Sequence, residues 1–490
     1  MKKFLFIIFC FVITTTLQAQ LVSWGIPVKV EERFGAPNQA VIGKYLGQIN
    51  GADYYTYYSR RPIFIIEDTR FAFCEVKGTK ITKFSPYSND KYEKLDVSAT
   101  DSKLCVTYVT GEKKAKRNIK LDYFNPSNFK KTETVTLLSF DPIGKDDPYI
   151  DLVHSDNQEY IGIIANGKHP ETGQGTIIIK CFNKKYEEIW ASYYDYNGNG
   201  YPEIGDFFIS NSGTVLIHFL KYESEKKKRL ESFYFVKISD ENINELEYSI
   251  DKKVELVEYK IGEYKENQYL MAYTEKENVT GLKIDFSNET ISQIFSKPLY
   301  EGNWRIDKIV DMQNGNYTIA LQNRDLLVVI TRGTNNTVNH SYNYWNRSFV
   351  FIGINGQNDE LTYLKTLGRY YGYTQGIPTA ELNITIEPFY FVKDGDLHVV
   401  YNTDKKTKDF QSNSKEKPGY FSISFKATTV KPITKMATIS ESGDIKTKTM
   451  FDSKVEKGVF FSKFSHLDEN NDLIIAKGKK KTLTIGKVNL

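Results

Sequence analysis

The residues whose types and spacing come nearest to chemistry lie between positions 195 and 206. They read Asp195-Tyr-Asn197-Gly-Asn199-Gly200-Tyr201-Pro-Glu203-Ile-Gly-Asp206. Side-chain oxygens at alternate positions, a glycine sixth and acids ninth and twelfth form the pattern with which a loop wraps a hard cation such as calcium. Two of the central positions hold Asn rather than Asp, which lowers the negative charge available to a metal. The same residues also read as a Gly-rich turn between strands, and the pattern favours that reading.

A second group is suited to binding. Tyr342, Tyr344, Trp345 and Arg347 crowd one stretch, and Tyr370, Tyr371 and Tyr373 another. Tyr and Trp offer large contact area at low rotamer cost and keep a polar handle, while Arg adds bidentate pairing. Such a set suits a protein ligand or stacking on carbohydrate rings. Any one of these rings could equally cover a neighbouring strand.

Catalytic signals are sparse. The six histidines, His154, His169, His218, His340, His398 and His466, form no HExxH pair and no close Cys/His set, and there is no G-x-S-x-G elbow. Asp206 and Asp307, with histidines nearby, could meet only if the fold brings distant strands together. No glycine-rich phosphate loop precedes a helix, so nucleotide binding has no support.

The elements that must position these residues are strands. In 490 residues, 14% are aromatic, with 34 Tyr and 31 Phe, a usage that favours pleated sheet. Apolar residues make up 40% and charged ones 26%, which excludes a disordered or fibrous chain. Lys2 and Lys3, the apolar run Phe4 to Ile13 and Leu17-Gln-Ala19 predict a signal peptide over 1–19, placing the mature chain in the periplasm or outside the cell. Cys10 lies inside the apolar run, so no lipid anchor is expected. No later apolar run is long enough to span a membrane. Loss of Lys2 and Lys3 takes the net charge from +4 to +2, which leaves no electrostatic footprint for nucleic acid. Cys74, Cys105 and Cys181 lack metal or redox spacing and are expected as buried thiols, with a Cys74–Cys105 bridge as the alternative. The run Lys477-Gly-Lys479-Lys480-Lys481 reads as a solvated hairpin tip.

One phrase repeats: an alternating strand, a tight polar turn, then a more apolar strand. It is clearest around Asp156 to Glu159, Asn211 to Gly213, Gln313 to Asn316 and Asp394 to Asp396. Looser copies lie at Asn50-Gly51, Thr100 to Lys103, Glu263 to Asn267 and Asp468 to Asp472. Asn-Gly and Asp-Gly between apolar runs mark hairpins, because these residues accept positive φ. Eight turns at this spacing predict an all-β propeller of eight four-stranded blades over residues 20–490, one domain, with seven blades as the alternative if Leu326 to Thr331 is an extra strand. The last unit has three strands, so Trp24 to Arg33 is expected to close the ring as its fourth.

Naming the strands of a blade A to D, most long connections join B to C or D to A and so emerge on one face: 166–175, 194–203, 221–230, 324–347, 367–383 and 402–418. Only 428–443 belongs to the opposite face. Surplus loop length on one face marks it as the binding face.

The blade phrase, the signal ending Leu17-Gln-Ala-Gln20 and the stretch Phe349-Val-Phe-Ile-Gly-Ile-Asn355-Gly together resemble exported bacterial β-propeller-like repeat proteins. The 195–206 loop resembles the calcium loop of FG-GAP propeller repeats, D-x-N-G-D-G-x-x-D, with Asn199 and Glu203 where that pattern has Asp. The resemblance implies that Asp195, Asn197, Asn199 and Glu203 supply side-chain oxygens and Tyr201 a carbonyl. The function expected is a secreted, non-enzymatic binding or scaffold module for a glycan or protein ligand. The alternative is a propeller-type glycan hydrolase with an axial acidic site.

Overall fold

The computed structural model describes residues 22–29, 40–59, 71–85, 93–112, 115–143, 148–196, 201–224, 230–240, 242–250, 256–275, 278–300, 303–332, 338–375, 387–405, 407, 411–412, 432–479 and 482–490. Segment 1–19, read as a signal peptide, lies outside them.

Eight antiparallel sheets follow one another along the chain and form an eight-bladed β-propeller. The A strands are Ala40–Ile49, Glu93–Ala99, Ile150–His154, Tyr201–Ile209, Leu256–Lys265, Trp304–Asp311, Phe389–Lys393 and Val459–Leu467. Each of the eight polar turns read from the sequence joins an A strand to its B strand. Asn50, Gln158, Asn267, Gln313, Asp394 and Asn471 take positive φ there, as does Gly213. These turns need the left-handed region, which short polar residues and glycine supply most cheaply.

The B strands are buried on both faces, as in Leu104–Thr110 and Val215–Tyr222, while D strands such as Asn242–Ser249 are largely exposed. The core therefore lies between sheets. Eight apolar clusters each join two successive blades, and the eighth joins the last blade to the first through Phe464 and Ile485 against Tyr55 and Cys74. Burying a large apolar side chain is worth about 1.5–3 kcal/mol, so each seam holds its neighbours firmly.

The N-terminal segment completes blade 8. Ser23–Trp24 and Val28–Lys29 both pair antiparallel with Thr482–Val488, with Trp24 opposite Gly486 and Val28 opposite Leu483. Between them Gly25 passes so close to the blade 1 turn that a Cβ would stand 2.1 Å from the Thr79 carbonyl oxygen.

Four expectations need correction. Residues 367–375, expected within the long connection 367–383, are the outer part of blade 6 strand D (Leu361–Gln375), held there by pairing with strand C. Residues 324–332 and 338–347 are strand and not loop: blade 6 strands B (Asn316–Arg332) and C (Val338–Asn355) stay paired, past one bulge, as far as Arg332 opposite Val338, and Leu326 to Thr331 prolongs strand B instead of starting a new blade. Of the supposed 428–443 loop, Pro432–Ile439 is blade 7 strand C, followed by a tight turn into strand D. Lys477 is buried, paired with Glu456 at 3.0 Å and seated 3.7 Å above the Trp24 ring, because the closing strand covers it. The three described cysteines are free, buried thiols. Among the described residues no helix is long and apolar enough to cross a membrane.

Candidate functional site

On the side of the B–C and D–A connections, blade 6 carries long strands. Beyond a bulge at Asn323/Arg324, its B and C strands run on, and strand D (Leu361–Gln375) follows strand C outward. The result is a three-stranded ribbon. Register sets Tyr344 opposite Tyr373, Trp345 opposite Gly372 and Tyr342 opposite Gln375. The two aromatic stretches are therefore neighbours on adjacent strands. Arg347 pairs through Nε with Asp325 Oδ2 at 2.8 Å, whereas Tyr370 and Tyr371 are buried at the ribbon's foot.

That foot is polar and closed. Arg369 is fully buried; its Nε donates to the Asn402 carbonyl at 2.9 Å, and its guanidinium lies 5.0 Å from the Phe349 ring and 5.9 Å from those of Tyr371 and Tyr401. Arg324 donates to Asn346 Oδ1 and Gln322 Oε1. Nearby, Tyr390 Oη donates to Asp307 Oδ2 at 2.7 Å. Burial raises the Asp307 carboxyl above its usual range, against that hydrogen bond and the pull of Arg324 and Arg369. Asp307 is the extra residue of a β-bulge in its A strand, a device that re-aims a side chain.

The axis carries a second arrangement. Three successive blades place an aspartate four residues before the A–B turn: Asp96 before Thr100, Asp151 before Ser155 and Asp206 before Ser210. Their surroundings differ sharply. Asp96 meets His154 Nε2 at 2.9 Å and pairs with Lys44, so polar side-chain contacts through one carboxylate link blades 1, 2 and 3. Burial alone would raise this carboxyl, but His154 and Lys44 outweigh it and hold it well below the usual range. Asp151 accepts from the Leu152 backbone N–H at 2.8 Å and from Tyr149 Oη at 3.3 Å, and Asp206 from the Phe207 N–H at 2.9 Å. Burial raises both of these carboxyls, and the Asp151 charge raises Asp206 further.

His218 stands opposite Asp206 in register, completely buried, with neither ring nitrogen partnered. Burial pushes its imidazole down to about 3, so it is neutral. At the last seam, Tyr45 stacks on His466 at 3.7 Å, Tyr55 Oη meets His466 Nδ1 at 3.2 Å, and Asp53 lies 3.6 Å from Nε2. His398 is spent on Thr438 and a stack against Phe391.

Of the 195–206 loop, Asp195 and Glu203 are exposed and Tyr201 begins blade 4 strand A; Asn197 and Asn199 lie outside the described residues. Among the described residues no group of three His, Cys, Asp or Glu side chains is disposed to hold a metal ion.

No family model matches this chain, and no curated protein matches it. Solved structures do. The chain is similar to the Dos1 propeller, at 8% identity over 96% of this chain and 95% of that one, with a TM-score of 0.41. It is also similar to the WD40 domain of SCAP from fission yeast, at 8% identity over 95% and 98%, TM-score 0.36. A third is a puromycin-hydrolysing peptidase of Mycobacterium tuberculosis, at 8% identity and TM-score 0.34, where 77% of this chain spans 62% of the peptidase. At these scores no residue role transfers.

Asp96, Asp151, Tyr149 and Tyr259 were not singled out from the sequence as site residues. The two aspartates were signalled by Asp-x-x-x-Ser/Thr ahead of three consecutive turns, Asp96 to Thr100, Asp151 to Ser155 and Asp206 to Ser210, while nothing in the sequence marked the two tyrosines.

Proposed function

We propose that the protein is an exported binding module that engages a protein or glycan ligand on its B–C/D–A face, with the blade 6 ribbon as principal contact. The observation that carries this reading is the ribbon itself: three strands continuing past the blade, with Tyr342, Tyr344, Trp345 and Tyr373 on neighbouring strands above a foot fixed by buried Arg324 and Arg369. A rigid foot lowers the ordering cost of binding, and aromatic anchors beside an Arg are the usual energetic centre of an interface. Arg347 belongs to the rim of this surface. The reading keeps Tyr370 and Tyr371 as support for the ribbon and not as contacts. Calcium at Asp195, Asn197, Asn199, Tyr201 and Glu203 would brace the D–A connection from blade 3 to blade 4 on the same face.

The test is a glycan array and an envelope-fraction pull-down with wild type and a Tyr344→Ala/Trp345→Ala variant. Loss of two aromatic anchors is expected to weaken the captured partner by about 100-fold. An unchanged set of partners at unchanged affinity moves the interface elsewhere. The hydrolase alternative draws on the axial carboxyls: raised acids such as Asp206 suit general-acid work. Release of reducing ends from a glycan by wild type and not by Asp206→Asn would favour it.

A further inference from the structure

At the foot of the blade 6 ribbon a positive charge is buried without a negative one against it. Arg324 is 8% exposed; its guanidinium donates through Nε to Asn346 Oδ1 at 3.3 Å and through Nη2 to Gln322 Oε1 at 3.4 Å. Both acceptors are neutral amide oxygens, and both bonds are long. Among the described residues no carboxylate forms an ion pair with Arg324. Its chain neighbour Asp325 is taken by Arg347 at 2.8 Å. Lys477, buried to a similar degree, has what such a cation needs: the Glu456 carboxylate at 3.0 Å. Burying a charge is costly unless an anion and hydrogen bonds replace the lost water.

The bulge isolates this charge. Strand C carries one extra residue, Arg347, between Ser348, opposite Asn323, and Asn346, opposite Arg324. The extra residue turns the Asn346 amide to the face shared by Arg324, Gln322 and Phe349, which packs on blade 7. Arg369 adds a second buried guanidinium to this seam, 5.0 Å from the Phe349 ring. Asp307 lies at the same seam, but Tyr390 Oη holds it at 2.7 Å and burial raises its carboxyl, so it meets Arg324 through its field and not by contact.

A second observation stands beside the guanidinium. Gln322 is completely buried, and its Nε2 has no hydrogen-bond partner. The bond from Arg324 fixes the amide: a flipped Gln322 would set Nε2 against the arginine N–H groups. The unused donor therefore sits on the same amide that touches the unpaired cation. Positive charge and spare N–H groups call for an anion, and the near-complete burial of Arg324, Gln322 and Asn346 calls for a small one. Water would accept from Gln322 but leave the charge unmatched.

We propose that the seam between blades 6 and 7 binds a compact monovalent anion of chloride size, held by the Arg324 guanidinium and Gln322 Nε2 with Arg369 behind them. The ion neutralises Arg324, accepts the spare donor and fixes the foot from which the ribbon rises. It is separate from the ligand surface of the ribbon, and its test uses no ribbon ligand, so the two readings fail separately.

The test follows thermal unfolding of the purified mature chain while sodium chloride replaces sodium gluconate at constant ionic strength. The melting temperature is expected to rise with chloride and then level off, as for one saturable site, and bromide is expected to act likewise. No change, or a change that does not saturate, overturns the proposal. Crystals grown in bromide are expected to show an anomalous peak at hydrogen-bond distance from Arg324 and Gln322; bromide confined to the protein surface overturns it. Gln322→Leu keeps the guanidinium and removes the spare donor, and is expected to need about ten-fold more chloride for half the effect. An unchanged midpoint in that variant places the ion elsewhere and overturns the proposal. The wild-type titration and the bromide positions decide the matter even where the variant does not fold.

Discussion

Trp24 meets Phe451 edge to face, with ring centroids 5.1 Å apart and planes at 85°. The contact reaches across a seam. Trp24 belongs by hydrogen bonding to blade 8, whereas Phe451 lies in the outer strand of blade 7. Val22, buried beside them, joins the same cluster as Val400, Phe460 and Val488. The closing segment is thus both a strand and a wedge.

Trp24→Ala is expected to cost about 2–4 kcal/mol, since a partly buried indole, its aromatic contact and the lid over Lys477 all go. Deleting residues 20–34 is expected to lower the whole thermal transition and not merely fray one edge. Calorimetry reads both; full stability of the deletion would show that the ring closes without this strand.

His218 makes stability depend on acid. Its folded value, about 3, lies below the ordinary histidine value, so the unfolded chain binds the proton first. Its contribution is therefore present in full at neutral pH and is lost as pH falls from about 6.5 toward 3, by up to about 1.4 kcal/mol per pH unit. His218→Leu is expected to flatten the slope of Tm against pH in that window. Parallel curves for the two proteins would remove the assignment.

The axial aspartates respond oppositely to loss of charge. Asp96→Asn strands Lys44 and His154 and is expected to destabilise by about 1.5–3 kcal/mol at pH 7. Asp206→Asn removes a half-buried carboxylate that burial already disfavours, so Tm at pH 7 is expected to hold or rise. The pH signs differ too. The Asp96 contribution, from a lowered carboxyl, disappears as pH drops below about 4, whereas the penalty of Asp206 grows as pH rises through its raised value. Carboxyl titration by NMR gives the order directly: Asp96 lowest, Asp151 and Asp206 above the ordinary range.

Cys74, Cys105 and Cys181 are buried, and burial pushes the Cys105 and Cys181 thiols up to about 12 and Cys74 higher. Dithionitrobenzoate is expected to find none of the three in the folded chain and all three in denaturant. Rapid reaction of any of them without unfolding would contradict the seams as drawn.

The turns were legible because their chemistry is local. Asn50, Asn267, Gln313 and Asp394 sit where positive φ is needed, and each is flanked by runs that alternate with period two. Strand B of blade 6 was harder. Arg324-Asp325 interrupts an apolar run and mimics a loop, yet the interruption is a bulge after which pairing resumes. Lys477 misled for a related reason: its neighbours are lysines, but a tryptophan more than 450 positions away covers it. The axial group was visible only as a repeated Asp-x-x-x-Ser/Thr. That the three aspartates face different partners depends on which A strands lie side by side, and no short window of sequence carries that information.

Closure through Trp24 and Gly486 has a consequence for how the molecule is made. Seven sheets can zip up from hairpins whose partners are tens of residues apart, while the eighth waits for Ser23 to find Lys487. Among the described residues that search is the most distant strand pairing, and it is expected to be the slow step of assembly. Until it succeeds, the edge of Thr482–Val488 offers unsatisfied amides to any extended peptide, so a nascent ring is most prone to swapping strands with its neighbours at this one place.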